Sequence, residues 1–397
     1  MTLPEFLLAA AVVALLGGAL LVQALPFGRL TWPVAAAATG IALVAAVGLT
    51  VGVSRDGPSL VFDEWVYVDA LGVLVTDLVA LVGMLAVINS LPYIKHEVAH
   101  GEIDGATARR YYALVLAFLA AMFVVPLSNN LGVMWVAIEA TTIVSALLVS
   151  IHRDRAGLEA AWKYLIIGSV GIAFALFGTM MTFYAAEPIL GDAGSALNWT
   201  TLRAAAGQLD PQVMRLAFVF VLVGYGTKAG LAPMHTWLPD AHSQAPSPVS
   251  ALLSGVLLKC ALVAVLRFGV LTDLSVGGSF RDNALMTFGI AGIVIAVPFI
   301  LVQGDLKRLL AYSSVENIGI IVLAAGIGGP IATYAAVLHI VAHSLTKSSL
   351  FFSAGSIVQA YGTRRLHRMG NLGGASPAVA VVFIAAIIGV SGFPPFA

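Results

Sequence analysis

The chain has 397 residues, of which 60% are hydrophobic and only 10% charged, with a mean hydropathy of +0.98 and no formal net charge. That balance excludes a soluble globular domain of this size and leaves no basic footprint for nucleic acid. The single cysteine, Cys260, lies inside an apolar run, which excludes disulfides and a cysteine-ligated metal.

Apolar runs of about 20 residues recur along the whole length, as membrane helices require. An outer-membrane barrel would show short segments of alternating polarity, and these are absent. The first run has no basic n-region and reads as a span rather than a signal peptide. In chain order the first three spans fall near 5–25, 32–53 and 70–92, within an N-terminal region of residues 1–110. The charged loop IKHEVAHGEIDGATARR closes it. Spans 4 to 8 follow near 111–128, 131–151, 162–185, 215–240 and 248–271, and form a first repeat over 111–271. Between spans 6 and 7, LNWTTLRAAAGQLD predicts a short interfacial helix. Spans 9 to 12 fall near 284–303, 309–327, 331–358 and 377–397, as a second, inverted and incomplete repeat over 284–397. The fold class is therefore all-α integral membrane, with about twelve transmembrane helices and discontinuous helices at spans 7 and 12.

Loop charges test this count. Alternate numbering puts Arg29, Lys95, Arg109, Arg110, Arg153, Arg155, Lys163, Lys307, Arg308, Arg364, Arg365 and Arg368 on one side. Only Arg55, Arg203, Arg215 and Arg281 fall on the other. The positive-inside rule makes the richer side cytoplasmic and the N-terminus external, in a cell inner membrane.

Four basic residues remain inside spans: Lys228, Lys259, Arg267 and Lys347. Arg267 is near the end of span 8 and is read as snorkelling to the interface. Lys228 stands just before a break in span 7, GLAPMHTWLP, which contains Gly230, Pro233 and Pro239. Span 12 is broken by SGFPPF, with Pro394 and Pro395, five spans later. An odd offset runs the two broken helices in opposite directions, which points to an ion path at the interface of inverted repeats. Two unrelated proline kinks are the plainer alternative. Freed backbone groups at such breaks need protein or water partners.

Glu139 is buried in span 5, and a carboxylate at that depth needs a partner or a proton. Facing Lys228 satisfies both residues, either as a proton-loading pair or as a static salt bridge. Lys259, in the middle of span 8, has no acidic neighbour on its own helix; it contacts water or is neutral part of the time. In span 11, HIVAHSLTKSS places His339, His343 and Lys347 four residues apart on one helix face. Two imidazoles and an ammonium in file suit proton transfer. The rival reading is a metal chelate, but no third ligand lies in the span, and no metal site is expected. His235 is expected to line the cavity at the break. Asp240 and His242 belong either to that cavity or to the cytoplasmic surface. Glu316 is a relay acid or a hydrogen-bonded filler, and Asp77 is structural or peripheral.

The stretches GTKAGLAPMHTWLPDAHSQAPSPVSALLSGVLLK, IEATTIVSALLV, DLKRLLAYSSVENIGII and HIVAHSLTKSSLFFSAGSI carry a resemblance covering almost the whole chain from span 4 onward. The sequence resembles the antiporter-like proton-translocating subunits of respiratory complex I and of membrane-bound group 4 nickel–iron hydrogenases. IEATTIVSALLV, LEAAWKYLIIGSVGIAFALFGT and SGFPPFA look most like the hydrogenase-4 component F branch, found in formate hydrogenlyase-like complexes. The resemblance implies that Glu139 and Lys228 are the glutamate–lysine pair of spans 5 and 7. It makes Lys259 the span 8 lysine of a central hydrophilic axis, which His339, His343 and Lys347 continue. It further implies no cofactor in this subunit, and partners that are other membrane subunits, lipid and, through those subunits, a peripheral redox arm. Related multisubunit Na+/H+ antiporters share these motifs, so sodium is an alternative ion, and a non-pumping membrane anchor is a third reading. Family members have about fourteen spans and a Lys or Glu just after the span 12 break. This sequence stops at GFPPFA, inside that break, and is expected to be C-terminally truncated.

Overall fold

A computed structural model of the chain describes residues 1–191 and 194–393. Pro394 and Pro395, expected at the second break, lie outside the described residues. Helices α1 (Leu3–Ala24) and α2 (Thr31–Asp56) lead into a two-stranded antiparallel hairpin, β1 (Ser59–Val61) and β2 (Val66–Val68). Then come α3 (Ala70–Ala99), α4 (Gly105–Val124), α5 (Leu131–Val149) and α6 (Arg155–Leu190). A short helix, α7 (Trp199–Ala205), stands where the loop before span 7 predicts one. Span 7 is α8 (Pro211–Ala229) plus α9 (Trp237–Gln244), and span 8 is α10 (Ser247–Leu252), a π-helical turn (Leu253–Leu257) and α11 (Leu258–Val276). The remainder comprises α12 (Ser279–Val302), α13 (Leu306–Ile327), α14 (Gly329–Tyr361), α15 (Leu372–Ala375) and α16 (Pro377–Val390).

Among the described residues, eleven helices or helix pairs are long and apolar enough to cross a bilayer, so the chain is a multi-pass membrane protein. They coincide with the first eleven expected spans. The twelfth corresponds to α16, which at 14 residues rises only about 21 Å. Several spans overrun their expected limits, α3 and α6 by the most at a single end. α3 continues to Ala99 instead of stopping near 92, and α6 begins at Arg155 rather than near 162. Hydropathy marks only the hydrocarbon-facing part of a helix, whereas backbone hydrogen bonding continues into the charged turns beyond it. Side-chain caps fix several starts: Asn130 accepts from the N–H groups of Gly132 and Val133, and Asp305 from those of Lys307 and Arg308. Asp104 caps α4 through Thr107, and these hydrogen bonds hold its carboxyl below the usual carboxylate range.

The most enclosed span is α10–α11, with 94% of its apolar window buried; its neighbours shield it from lipid. Small residues set the packing, as expected where lipid gives helices no hydrophobic reason to associate. A Cβ added at Gly224 of α8 would sit 2.4 Å from the Ala175 backbone nitrogen of α6, and one at Gly178 would sit 2.7 Å from the Ala217 carbonyl. Gly224→Val is therefore expected to destabilise the protein by about 1–3 kcal/mol, the usual range for overpacking. A melting temperature unchanged in detergent would show that α6 and α8 do not pack this closely.

Arg267 does not snorkel. It is 2% exposed and forms two hydrogen bonds to Asp69, at 2.9 and 3.2 Å, with a third to the Pro126 carbonyl. Its guanidinium also lies over Trp199, 4.7 Å from the ring centroid. The hairpin brings Asp69 within reach, and Asp69 also caps α3 through the Gly72 N–H. Asp69→Asn would strand a buried guanidinium, for which about 3 kcal/mol of destabilisation is expected. Thermal unfolding of the variant checks this.

Candidate functional site

The span 7 break is built from glycine and proline. α8 ends on Gly230, whose φ of 78° suits a residue without a Cβ, and the Leu231 N–H turns back onto the Gly226 carbonyl at 2.8 Å. Pro233 then opens a 3-10 turn (Met234–Thr236), which passes into α9, where Pro239 occupies the first turn. The indole of Trp237 donates to the Thr227 carbonyl (2.8 Å), satisfying a group that the break leaves free.

Lys228, the penultimate residue of α8, is fully buried. Its ammonium donates to Thr142 Oγ1 (2.8 Å) and to the Tyr164 hydroxyl (2.5 Å), and stands 4.7 Å from the Tyr164 ring centroid. The same hydroxyl meets Ser145 Oγ at 2.7 Å. Glu139 is half-buried on α5; one carboxylate oxygen accepts from Ser169 (3.2 Å) and the other has no partner among the described residues. The expected direct pairing does not form: no ion pair within 4.0 Å joins Glu139 to Lys228, whose ammonium has Thr142 and Tyr164 as its partners. The lysine instead lands three residues farther along α5, on Thr142. Glu139, Thr142 and Ser145 share a face of α5 by their spacing of three, so the lysine remains in the field of the carboxylate while hydroxyls satisfy its donors.

A second centre surrounds Lys259. The π-helical turn before it makes the Ser254 carbonyl available, and the buried Lys259 ammonium donates to that oxygen at 2.6 Å. The ammonium also lies 2.5 Å from His343 Nδ1 on α14. This contact requires α14 to come close: a Cβ on Gly255 would sit 2.3 Å from Ser348 Oγ. As the four-residue spacing predicts, His339 and His343 stack, with centroids 6.4 Å apart. His339 Nε2 donates to Asn317 Oδ1 (2.9 Å), and the Asn317 amide donates to the Ser313 carbonyl (2.7 Å). Lys347 is fully buried and donates to the Leu310 carbonyl (3.0 Å) and to Ser313 Oγ. Ser254 and Ser314 close the network through their hydroxyls at 2.8 Å, and Ser314 in turn donates to the Leu310 carbonyl. Lys259, His343, His339 and Lys347 thus belong to one polar assembly between α11, α13 and α14. Glu316 is half-buried and, with Ser313, Asn317 and His339, lines one wall of a cavity of about 720 Å³.

The flanking candidates divide. His235 is buried, with its ring edge-on to Tyr312 at 6.2 Å and its Nδ1 without a partner among the described residues. His242 is not a surface residue: it is fully enclosed, stacks on Phe351 at 4.9 Å, and neither ring nitrogen has a partner among the described residues. Asp240 is half-buried and ion-paired to Arg308 (2.8 Å) and Lys163 (3.3 Å) at a polar recess of about 210 Å³. Asp77 accepts a hydrogen bond from Thr50 at 2.7 Å, far from either centre in its contacts.

Sequence reasoning missed Thr142, Ser145 and Tyr164, which are the groups that actually receive Lys228 or support its receivers. Hydroxyl residues at steps of three from a buried glutamate were the available signal. It also missed Lys307, assigned to a loop but only 4% exposed, with its ammonium on the Ala245 carbonyl at 2.5 Å. No described hydrogen bond runs from the Lys228 centre to the Lys259 centre, so a proton crossing between them needs water or side-chain motion.

A broken membrane helix with buried lysines on hydroxyl, carbonyl and imidazole partners defines an ion-handling class of helical membrane protein. The chain belongs to the NADH:quinone oxidoreductase/Mrp antiporter transmembrane family, whose profile matches residues 128–397. It is 40% identical over 328 residues to a hydrogenase-4 component F homolog of Methylacidiphilum infernorum, covering 83% of this chain and 69% of that protein. It is 33% identical to NADH-quinone oxidoreductase subunit N of Desulforudis audaxviator, over 80% of this chain and 61% of the relative. A chain of the Mrp complex from a Dietzia species superposes with a TM-score of 0.85 at 27% identity, covering 100% of this chain and 72% of that one. The antiporter-like helical fold expected from the sequence is thereby shown.

Proposed function

We propose that the chain translocates protons across the cytoplasmic membrane as an antiporter-like subunit of a hydrogenase- or NADH:quinone oxidoreductase-type complex, coupled to electron transfer in partner subunits. The observation that carries this reading is the set of three fully buried lysines, Lys228, Lys259 and Lys347, each held by neutral hydroxyl, carbonyl or imidazole groups. An unpaired ammonium in such surroundings can give up its proton, whereas one locked to a carboxylate is held charged. A membrane anchor would gain nothing from them.

In this reading protons enter from the cytoplasmic side near the α9–α10 connection, load Lys228 and Lys259, and move through His343 and His339 toward span 12. Glu139 acts on Lys228 at a distance, and its approach or withdrawal sets when the lysine holds its proton. Residues 111–271 and 284–397 act as inverted halves, the N-terminus faces outward, and the redox cofactors and peripheral arm belong to partner subunits. Relatives in the hydrogenase-4 and quinone oxidoreductase groups support this assignment.

Exchange of Na+ for protons is the second reading, favoured by the likeness to the Mrp complex. Proton uptake by vesicles containing the complete complex is expected to be the same with Na+ or with choline as the external cation. Uptake that requires Na+ would replace the first reading with the second.

A further inference from the structure

Away from the lysines, two helix-end turns meet on the side that carries Arg109 and Arg153. α3 ends in a left-handed turn at Gly101 (φ 72°), where the Glu102 N–H bonds the Glu97 carbonyl (2.9 Å) and the Gly101 N–H bonds the Val98 carbonyl (3.2 Å). This reversal returns Glu102 alongside Glu97. Opposite, the turn between α5 and α6 is closed by the Arg153 N–H on the Ser150 carbonyl (3.0 Å) and presents His152.

The donor atoms of Glu97, Glu102 and His152 all lie within 4.8 Å of one another. His152 Nε2 is 3.0 Å from Glu97 Oε1. The side chain of Glu97 is only 4% exposed, and its other oxygen, Oε2, is buried without a hydrogen-bond partner among the described residues. No Lys or Arg pairs with either carboxylate within 4.0 Å among the described residues. A buried carboxylate with one unused oxygen and an adjacent carboxylate, met by the buried Lys307 only from beyond ion-pair distance, is an unbalanced arrangement.

We infer that Glu97, Glu102 and His152 bind a borderline divalent transition cation, with Zn2+ the best fit. Imidazole with carboxylates selects such ions over Mg2+ or Ca2+, which favour all-oxygen shells. Donors at 2.0–2.2 Å from a tetrahedral ion stand roughly 3.3 Å apart, close to the present His152–Glu97 spacing. Glu102 is exposed and needs only a small side-chain swing to complete three protein ligands, with water as the fourth. The ion would cross-link the α3–α4 turn to the α5–α6 turn and neutralise Glu97. This inference does not rest on the proton-transfer reading.

The test is titration of the chelator-stripped, complete protein in lipid nanodiscs with ZnCl2 by calorimetry, with zinc-edge X-ray absorption on the loaded sample. One equivalent of zinc is expected, with one nitrogen and several oxygen neighbours. Glu102→Gln and His152→Gln are each expected to weaken binding about tenfold or more, and because neither position is fully enclosed, both keep the test open should Glu97→Gln fail to fold. His100→Ala is expected to bind like the parent. Absence of saturable uptake, parental affinity in His152→Gln, loss in His100→Ala instead, or equal competition by Mg2+ would each overturn the assignment.

Discussion

Replacing Lys228 by methionine is expected to lower proton translocation by the complete complex about a hundredfold or more, the scale on which a positioned proton-transfer group matters. Methionine keeps most of the volume and removes the donor, so the packing around Trp237 and Tyr164 is largely preserved. Two further variants separate transfer from structure. Thr142→Val deletes one of the lysine's two side-chain acceptors and leaves the charge; Tyr164→Phe deletes the other and also strips Ser145 of its hydroxyl partner. Each is expected to change the pH at which translocation is half-maximal, because each alters how well the charged lysine is held. Proton pumping in proteoliposomes, recorded against pH, is the measurement. A Lys228→Met complex that pumps at the parental rate would remove this lysine from the path.

Lys259→Met is expected to slow translocation by about ten- to a hundredfold, and His343→Asn to do much the same. The ammonium and the imidazole lie 2.5 Å apart and share one proton position, so their effects should not add. The double variant is expected to be no slower than the worse single one. Multiplicative losses would show that the two act in separate steps. A normal rate in Lys259→Met, with reduced thermal stability, would mean that the lysine only fastens α11 to the π-helical turn and α14.

The spans were legible because hydrocarbon thickness imposes a length on every one of them. The buried lysines were equally plain, since a cation inside an apolar run has few explanations. What each lysine touches was not legible, because that depends on helix rotation and on partners distant in the chain. The expected Glu139–Lys228 contact failed by one helical turn: both residues lie at similar depth, but the hydroxyls of Thr142 and Tyr164 stand between them in function. Arg267 was misread for the same reason. Its distance from the helix end suggested escape to the interface, yet Asp69, 198 positions away, waits inside the protein. His242 follows Asp240 by two residues, and only the fold sets one facing cations at the surface and the other packed flat on Phe351. The histidine file of α14 was foreseen because it needed only the period of a single helix.

The left-handed turn at Gly230 has an electrostatic consequence as well as a steric one. It terminates α8 beside Lys228, so the lysine stands in the last turn of a helix whose aligned peptide dipoles leave roughly half a negative charge at that end. This partial charge belongs to the backbone, does not titrate and does not move. It lowers the penalty for keeping an ammonium in a nearly dry place, by an amount that is the same at every stage of a transport cycle. A cycle needs a term that changes, and in this neighbourhood the half-buried carboxylate of Glu139, with one oxygen unclaimed, is the charge free to supply it.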